Sequence, residues 1–188
     1  MEIRNADRTA ADSRLLVRRT TAADLDDVMA FYMQVIDEMQ GTDFDVRWRR
    51  GVHPSDQLIA ESTERGECIV GIAEDGAIAC AMIVNHETAP GYEAASWTVD
   101  AEPEETGVIH VLATLPKYHH RGFGKQLIAG AVELSREAGL KVLRLDMLRH
   151  NWRGRKLYES CGFKLIGTFP LHYKLLGTSE LDLFELAL

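Results

Sequence analysis

The chain has 188 residues, of which 46% are hydrophobic and 27% are charged, as is typical of one globular domain with a sizeable core. Its formal net charge of −8 gives no electrostatic support for nonspecific nucleic-acid binding. No apolar stretch approaches the ~20 residues of a membrane span, and the N-terminal segment MEIRNADRTAADSR lacks the apolar core of a signal peptide. We therefore expect a cytoplasmic protein that binds neither nucleic acid nor a membrane.

The three cysteines, Cys68, Cys80 and Cys161, are widely spaced and set in apolar surroundings. An odd number of cysteines in such surroundings favours reduced, mostly buried thiols over a disulfide framework or a zinc site. We therefore expect no metal in this protein.

The first half of the chain predicts a strand, two helices and a hairpin. Residues 1–13 are polar and predict a flexible extension, which leaves residues 14–188 as a single domain. Apolar residues recur at helical spacing from Leu25 to Met39, and Asp75-Gly76 is a turn signal between two β-prone runs. The predicted elements are a strand at 15–19, a helix capped by Thr20 or Thr21 and ended by Gly41, an irregular segment at 41–56 anchored by Phe44 and Trp48, a helix from Pro54 to about Gly66, and strands at 67–73 and 77–85.

The second half predicts alternating strands and helices after a long acidic connection at 86–107. An apolar run closed by Pro116 predicts a buried strand, and apolar residues at helical spacing follow Gly124 as far as Leu134. The other predicted elements are a half-exposed strand at 141–147, a helix from Asn151 to Cys161 ended by Gly162, and strands at 163–167 and 181–188. We expect the last strand to be exposed, which would allow it to pair with a second copy in a homodimer.

The strand, turn and helix from Val108 to Leu134 predict an anion site. A helix that begins directly after a turn points unpaired backbone N–H groups and the positive end of its dipole into that turn. Gly122 and Gly124 remove side chains that would keep a phosphate away from the backbone. Donors around the rim are Lys117, His119, His120, Arg121 and Lys125. We therefore expect a phosphate or pyrophosphate ligand.

Two common phosphate motifs are excluded by the residues that follow this turn. A P-loop requires Ser or Thr after Gly-Lys, but this chain has Gln126 there. A dinucleotide fingerprint requires a third glycine, but this chain has Leu127 there.

The turn instead resembles the acetyl-CoA-binding segment of the GCN5-related N-acetyltransferase (GNAT) superfamily. In that family a buried strand, a proline and the pattern Gln/Arg-x-x-Gly-x-Gly/Ala lead into a helix whose backbone amides hold the pyrophosphate of coenzyme A. Here Leu115-Pro116 is followed by His119-x-x-Gly122-x-Gly124. The chain departs from the pattern at His119, where Gln or Arg is usual, and at His120, where a small residue is frequent.

A second segment, 151–163, carries the same resemblance. It looks like the family pattern Asn-x-x-Ala-x-x-Leu-Tyr-x-x-x-Gly-Phe at the same spacing, with Gly154 in place of Ala. The order of elements also matches from Leu15 to Leu188. The resemblance implies a mixed α/β (α+β) fold, in which a mostly antiparallel twisted sheet of about six or seven strands is flanked by about four helices.

The resemblance also implies acetyl-CoA as the cofactor. Tyr158 resembles the tyrosine that protonates the leaving thiolate, although the same side chain could simply pack in the core. Asn151 resembles a residue that orients the cofactor, and a helix N-cap role is compatible with that. The backbone N–H near Leu112 would stabilise the thioester oxygen, and Thr114 would pair with the pantetheine amides. The implied cofactor-binding residues are Leu112, Ala113, Thr114, His119, His120, Arg121, Gly122, Phe123, Gly124, Lys125 and Asn151.

The general base is not fixed by the resemblance. Some family members use a strand glutamate, but the comparable position here is Val108. His110 lies two residues further on, hence on the same face of a regular strand, and its unperturbed pKa is near neutrality. A purely structural histidine, a base drawn from Glu104 or Glu105 through water, and direct attack by a neutral amine all stay open.

The sequence therefore predicts an N-acetyltransferase that moves an acetyl group directly from acetyl-CoA to a primary amine in a ternary complex. We favour a small-molecule acceptor, and the acidic connection, which we expect near the acceptor side of the cleft, favours a cationic one. Two alternatives remain: a non-catalytic acyl-CoA-binding module that regulates a partner, and an enzyme that modifies a protein lysine or N-terminus.

Overall fold

The fold is built around one sheet. The computed structural model describes residues 14–45, 47–173 and 177–188. Its strands are β1 (Leu16–Arg19), β2 (Cys68–Ile72), β3 (Ile78–Asn85), β4 (Thr106–Thr114), β5 (Val142–Leu148), β6 (Lys164–Tyr173) and β7 (Gly177–Ala187), and its α-helices are α1 (Leu25–Met39), α2 (Asp56–Glu64), α3 (Phe123–Glu137) and α4 (Trp152–Ser160). Over these residues the sheet order is β1-β2-β3-β4-β5-β7-β6.

The predicted architecture is confirmed. All neighbouring strands are antiparallel except β4 and β5, which are parallel, and the sheet is accompanied by the four helices. The extension expected at 1–13 lies outside the described residues, and the single-domain boundary at residue 14 stays a prediction. In the described ranges no helix is both long and apolar enough to cross a membrane. All three cysteines are free thiols.

Helix α1 begins one turn later than its cap suggests. Thr21 caps a short 3-10 turn, Ala22–Asp24, in which the Asp24 carboxylate accepts a hydrogen bond from the Thr21 backbone N–H at 2.7 Å. The α-helix proper then buries one face, formed by Val28, Phe31, Tyr32, Val35, Ile36 and Met39. This face brings Tyr32 to the middle of the sheet, where its hydroxyl reaches β4.

The crossover from β4 to β5 runs through α3, since parallel strands require a long connection. Helix α3 packs across β1, β2, β3 and β4. Gly130 makes this packing close, because a Cβ at that position would lie 2.5 Å from a methyl carbon of Val17 on β1. The helix therefore lies tightly on the sheet, and its N-terminal end is fixed relative to the end of β4.

The C-terminal hairpin corrects two predictions. The strand expected at 163–167 extends to Tyr173, and it includes Pro170. Proline is tolerated there because β6 is an edge strand, on which some N–H groups need no partner. The last strand, expected to be exposed, lies between β5 and β6 inside the sheet. It therefore offers no free edge for pairing with a second copy, and the edges of the described sheet are β1 and β6. The oligomeric state stays open.

The long connection between β3 and β4 is fixed to the sheet by a buried ion pair. Arg144 of β5 pairs with Glu185 of β7 at 3.1 Å, and their side chains are only 11% and 2% exposed. The other Glu185 oxygen accepts from Thr98, through the backbone N–H and the hydroxyl, and from the backbone N–H of Val99. The Arg144 guanidinium lies over the ring of Trp97, 4.3 Å from its centre. One carboxylate thus holds the connection in place.

Replacing Glu185 by Ala should lower the free energy of unfolding by about 3–5 kcal/mol, because it leaves the Arg144 charge buried and unpaired. Urea denaturation measures this change. Glu180→Ala is the matched control, since Glu180 forms an exposed pair with Arg149 and should contribute less than about 1 kcal/mol. Equal losses in the two variants would contradict the anchoring role of Glu185.

Candidate functional site

The candidate site lies where β4 and β5 stop pairing. Their parallel register runs from Thr106 and Val142 to Ile109 and Leu145. Both strands continue beyond this point, β4 to Thr114 and β5 to Leu148, without a paired partner in each other. The next residues in register are His110 and Asp146, which therefore face the same side of the sheet across the opening. We call this opening the β4–β5 cleft.

A bulge in β4 lies at the cleft. Ala81 of β3 pairs with Ala113 and Ile83 pairs with His110, so both Val111 and Leu112 lie opposite the single residue between them on β3. Val111 has a φ of +46°, which is strained for a β-branched residue. The buried Tyr32 hydroxyl donates to the Val111 carbonyl oxygen at 3.2 Å and so supports this conformation.

The bulge contains the backbone N–H group that we expect to be the oxyanion donor. A bulge leaves one residue out of the hydrogen-bonded ladder. The backbone N–H expected to stabilise the thioester oxygen was placed near Leu112, which is inside the bulge. The sequence did not predict the bulge, because neither Val111 nor Leu112 is a residue type that favours a positive φ.

The turn after β4 presents the start of α3 without side chains in the way. His120 and Gly122 both have left-handed backbones, with φ of +62° and +74°. Gly122 is the N-cap of α3, and a Cβ there would have no atom within 4 Å, so the space beside it is open. Gly124 instead faces α4, where a Cβ would lie 3.2 Å from Leu157. The helix N-terminus that we expect to bind the anion is therefore open, and anion binding there stays a prediction.

The two unusual histidines have different contacts. His119 hydrogen-bonds through Nε2 to the Thr114 carbonyl oxygen at 2.8 Å, and its ring lies 4.4 Å from that of Phe44. His120 is exposed, with its ring 6.4 Å from that of Phe44. Together with Glu38, Thr42, Asp43, Phe44 and Pro116 they line a cavity of about 430 Å³. His119 thus closes the turn onto the strand, and phosphate contacts by either histidine stay a prediction.

The cations predicted at the rim are divided between two places. Arg121 and Lys125 are exposed beside the start of α3. Lys117 points elsewhere: its ammonium lies over the ring of Tyr118, 4.6 Å from the ring centre, and 3.9 Å from Asp75 in the β2–β3 turn. The Arg121 guanidinium also lies over the Tyr118 ring, 5.6 Å from its centre, and phosphate contacts by Arg121 and Lys125 stay a prediction.

Basic residues of the second motif mostly contact acidic residues of this chain. Arg149 pairs with Glu180 at 3.0 Å, and Arg155 pairs with Glu159 at 2.9 Å and with the buried Asp182 at 3.4 Å. Arg149, Arg155 and Asp182 also line a cavity of about 460 Å³ away from the β4–β5 cleft. These charges therefore stabilise the C-terminal hairpin.

Asn151 and Gly154 explain how α4 begins. The Asn151 side chain caps the helix by accepting from the Gly154 backbone N–H at 2.9 Å. A Cβ at Gly154 would lie 2.6 Å from the Asn151 amide nitrogen, so this side chain would have to shift if alanine stood at this position. The N-cap interpretation of Asn151 is confirmed, and its contact with the cofactor stays a prediction.

Tyr158 of α4 is buried, with its ring 5.6 Å from that of Phe163. Its hydroxyl has no hydrogen-bond partner within the described residues, although the ring is packed in the core. Burial raises the pKa of this hydroxyl well above its usual value, and the charges of Asp146 and Cys161 add to the rise. Tyr158 is therefore protonated at neutral pH and can donate its proton to a bound group.

His110 is held at the cleft by Asn85. Its Nε2 lies 2.9 Å from Asn85 Oδ1, and the same oxygen accepts from the Glu87 backbone N–H at 3.0 Å. Since this oxygen is an acceptor, Nε2 carries the hydrogen and Nδ1 has the lone pair of the neutral ring. Burial lowers the pKa of His110, and the nearby carboxylates of Asp146 and Glu87 oppose this shift only in part. His110 is therefore neutral at pH 7.

Asp146 is the main residue that sequence analysis missed. It was predicted only as part of the polar face of a half-exposed strand, yet its Oδ2 accepts from the Tyr92 hydroxyl at 2.6 Å and from the Tyr173 hydroxyl at 2.7 Å. Tyr92 comes from the acidic connection and Tyr173 from β6. The feature that indicates its position is the register of the parallel strands β4 and β5, which places Asp146 opposite His110.

The alternative bases in the connection lie at the start of β4, before the cleft. Glu104 and Glu105 lie in a 3-10 turn before β4, and Glu105 pairs with Lys141 at 2.7 Å at the start of β5. Glu105 and His110 are five residue steps apart along an extended strand, which corresponds to ~17 Å. Glu105 is therefore engaged by Lys141 at the other end of β4, and a base role for Glu104 or Glu105 through water stays a prediction.

Comparison with known proteins identifies the family. Residues 33–163 match the profile of the acetyltransferase (GNAT) family. The chain is 26% identical over 146 residues to an uncharacterized N-acetyltransferase of Archaeoglobus fulgidus, covering 77% of this chain and 89% of the relative. The uncharacterized N-acetyltransferases YycN and YvbK of Bacillus subtilis are 33% and 23% identical, over 35% and 60% of this chain. The matches cover only 44% and 62% of the lengths of these two proteins.

Solved structures show the same fold. A GNAT-family acetyltransferase of Listeria monocytogenes has a TM-score of 0.64 at 22% identity, covering 93% of this chain and 95% of that chain. YncA of Salmonella typhimurium, solved with its cofactor acetyl-CoA, has a TM-score of 0.63 at 18% identity, covering 92% and 93%. The fold and the family match together show that this chain belongs to the acetyltransferase (GNAT) family, whose cofactor is acetyl-CoA.

Proposed function

We propose that the protein transfers an acetyl group from acetyl-CoA directly to the primary amine of a small molecule, in a ternary complex. The observation that carries this proposal is the composition of the β4–β5 cleft. A neutral histidine and a protonated tyrosine with a free hydroxyl are both influenced by the charge of Asp146, the bulge lies on the same strand as the histidine, and the start of α3 packs on Leu157, beside the tyrosine. This combination supplies a base, an acid, an oxyanion donor and an anion site.

The residues present fit coenzyme A. The backbone N–H groups at Gly122, Phe123 and Gly124 begin α3 and are suited to the pyrophosphate, with Arg121 and Lys125 beside them. The backbone of Leu112, Ala113 and Thr114 continues β4 past its last pairing with β5, and is suited to the pantetheine amides. When bound, the cofactor supplies the acetyl thioester to the cleft.

The side chains at the cleft account for the protons of the reaction. His110 takes a proton from the ammonium form of the acceptor, because only the neutral amine can attack the thioester carbon. As the C–N bond forms and the C–S bond breaks, Tyr158 gives its proton to the departing sulfur and regains one from the amine nitrogen. The net products are the acetylated amine, coenzyme A as a thiol, and one proton released by His110.

The acceptor assignment rests on the groups that surround the cleft. Asp146, whose charge acts on His110, accepts hydrogen bonds from the Tyr92 and Tyr173 hydroxyls, and these three residues supply carboxylate and hydroxyl groups suited to a small cationic amine. Transfer to a protein lysine or N-terminus and a purely regulatory binding role are the two alternatives. The free hydroxyl of Tyr158 favours catalysis, because a protein that only binds the cofactor needs no proton donor.

Replacing Gly122 by Ala should weaken coenzyme A binding about tenfold, because the new methyl group occupies the space beside the helix N-terminus. Isothermal titration with coenzyme A measures this change. Gly139→Ala is the matched control, since Gly139 also has a left-handed backbone and open space around it but lies after α3. Each substitution should lower the free energy of unfolding by about 1–2 kcal/mol, because alanine is strained in a left-handed backbone. Absence of binding to the unmodified protein at millimolar coenzyme A would exclude the cofactor.

Replacing Tyr158 by Phe should lower kcat about 100-fold while coenzyme A affinity stays within twofold, because the ring packing is kept and only the proton donor is lost. Release of free coenzyme A with a panel of small primary amines provides the assay. Tyr118→Phe is the control: its hydroxyl bonds to Asp75, in the turn between β2 and β3. An unchanged rate in Tyr158→Phe would remove this residue from the mechanism, and no release with any amine would favour the regulatory alternative.

The acidic limb of kcat/KM should lie below pH 6.5, because His110 must be neutral to act and burial lowers its pKa. Asn85→Asp should move this limb up by about one pH unit or more, since a carboxylate facing Nε2–H favours the charged ring. The substitution breaks no other hydrogen bond, because Asn85 Nδ2 is buried without a partner. Other charges near His110 are Asp146, Glu87 and Glu67, and none of them is altered. A limb that does not move in Asn85→Asp would exclude His110 as the base.

A further inference from the structure

Asp146 is held in one orientation by two tyrosines from different parts of the chain. Its Oδ2 accepts from Tyr92, 54 residues away, and from Tyr173, 27 residues away. Tyr92 is 4% exposed, and it packs against Trp97 with ring centres 5.5 Å apart. The carboxylate therefore has a fixed position between the connection, β5 and β6, with aromatic rings beside it.

No cation of the described chain compensates this carboxylate. The two fully buried acidic side chains of the described residues have arginine partners: Glu185 pairs with Arg144, and Asp182 with Arg149 and Arg155. Asp146 forms no ion pair within residues 14–45, 47–173 and 177–188. Its Oδ1 has no hydrogen-bond partner in the same ranges.

The basic groups near Asp146 do not pair with it: Arg144, two residues away on the same face of β5, is paired with Glu185, and the two nearby histidines are neutral at pH 7. Burial lowers the pKa of His110, and the surrounding protein together with nearby His110 lowers that of His53, which lies at the exposed end of the cluster. Asp146 acts electrostatically on both rings. The cluster is thus a partly buried negative charge with aromatic walls and no ion-pair partner among the described residues, an environment that favours a bound ammonium ion.

We propose that Asp146 binds the ammonium form of the acceptor amine, across the β4–β5 cleft from His110. This inference rests on the proposed function and narrows its substrate class to amines that are cationic at neutral pH, such as aliphatic amines. Arylamines are neutral at that pH, so the carboxylate would not increase their affinity for the protein. Tyr92 and Tyr173 are positioning residues, because they hold Oδ2 and leave Oδ1 for the ligand.

A purely structural role for Asp146 makes a different prediction. In that case its function would be to join the connection to the C-terminal hairpin through the two tyrosine hydroxyls. The amide oxygen of an asparagine can accept both of those hydrogen bonds with nearly the same shape. Asp146→Asn therefore removes the charge while keeping the structural contact, and it separates the two roles.

The experiment compares a cationic and a neutral acceptor of similar size, benzylamine and aniline, in steady-state kinetics at pH 7. Asp146→Asn should raise KM for benzylamine about 10- to 100-fold, the usual effect of losing a hydrogen bond to a charged group, and change KM for aniline less than about twofold. Glu87→Gln is the matched control. It removes the same charge from an exposed carboxylate that also acts on His110, and it should leave the ratio of the two KM values unchanged.

A binding measurement keeps this inference separate from the proposed function. Each amine is titrated into the complex of the protein with coenzyme A, where no transfer can occur. We expect the unmodified protein to bind benzylamine more tightly than aniline, and Asp146→Asn to reduce this preference about tenfold or more. This result supports the inference even if no acetyl transfer is detected. The absence of transfer would count only against the proposed function. No preference for benzylamine, or the same preference in both proteins, overturns the inference. Thermal unfolding of Asp146→Asn checks that the fold is retained.

Discussion

The end of the parallel pairing between β4 and β5 is the constraint on which the rest of this structure depends. The strands are hydrogen-bonded neighbours as far as Ile109 and Leu145 and then separate. Parallel neighbours require a crossover, and the crossover helix begins at the turn after β4, so its N-terminus is placed beside the same opening. One topological feature thus brings together the exposed backbone of β4, a helix terminus suited to phosphate, and the His110 and Asp146 side chains.

The bulge in β4 shows how the helical layer supports that opening. Val111 adopts a left-handed backbone that costs free energy, and such strain persists only where surrounding structure enforces it. The enforcing contact is the hydrogen bond from Tyr32 of α1, a fully buried residue. Burial raises the pKa of Tyr32 far above its ordinary value, so this donor keeps its proton. Helix α1 therefore fixes the shape of the strand that the proposed oxyanion donor occupies.

The sequence predicted the local features well and the long-range ones poorly, for a physical reason. The strand, turn and helix around Gly122 and the capped helix at Asn151 are visible because spacing, glycine and capping residues act over a few positions. The bulge at Val111 and the two tyrosines on Asp146 depend on contacts between distant segments, which periodicity does not encode. The extent of β6 was missed because proline usually ends a strand, and only its edge position makes Pro170 acceptable.

The distribution of charge explains why a base and a carboxylate can coexist at the cleft. A histidine beside an aspartate usually becomes protonated and forms an ion pair, which would remove it as a base. Here Asp146 does raise the pKa of His110, but burial lowers it by more, and the net shift is downward. The two tyrosines meanwhile satisfy one oxygen of Asp146, which reduces the need for an internal cation. His110 can therefore stay neutral and ready to accept a proton, while Asp146 stays available to the ammonium that delivers it.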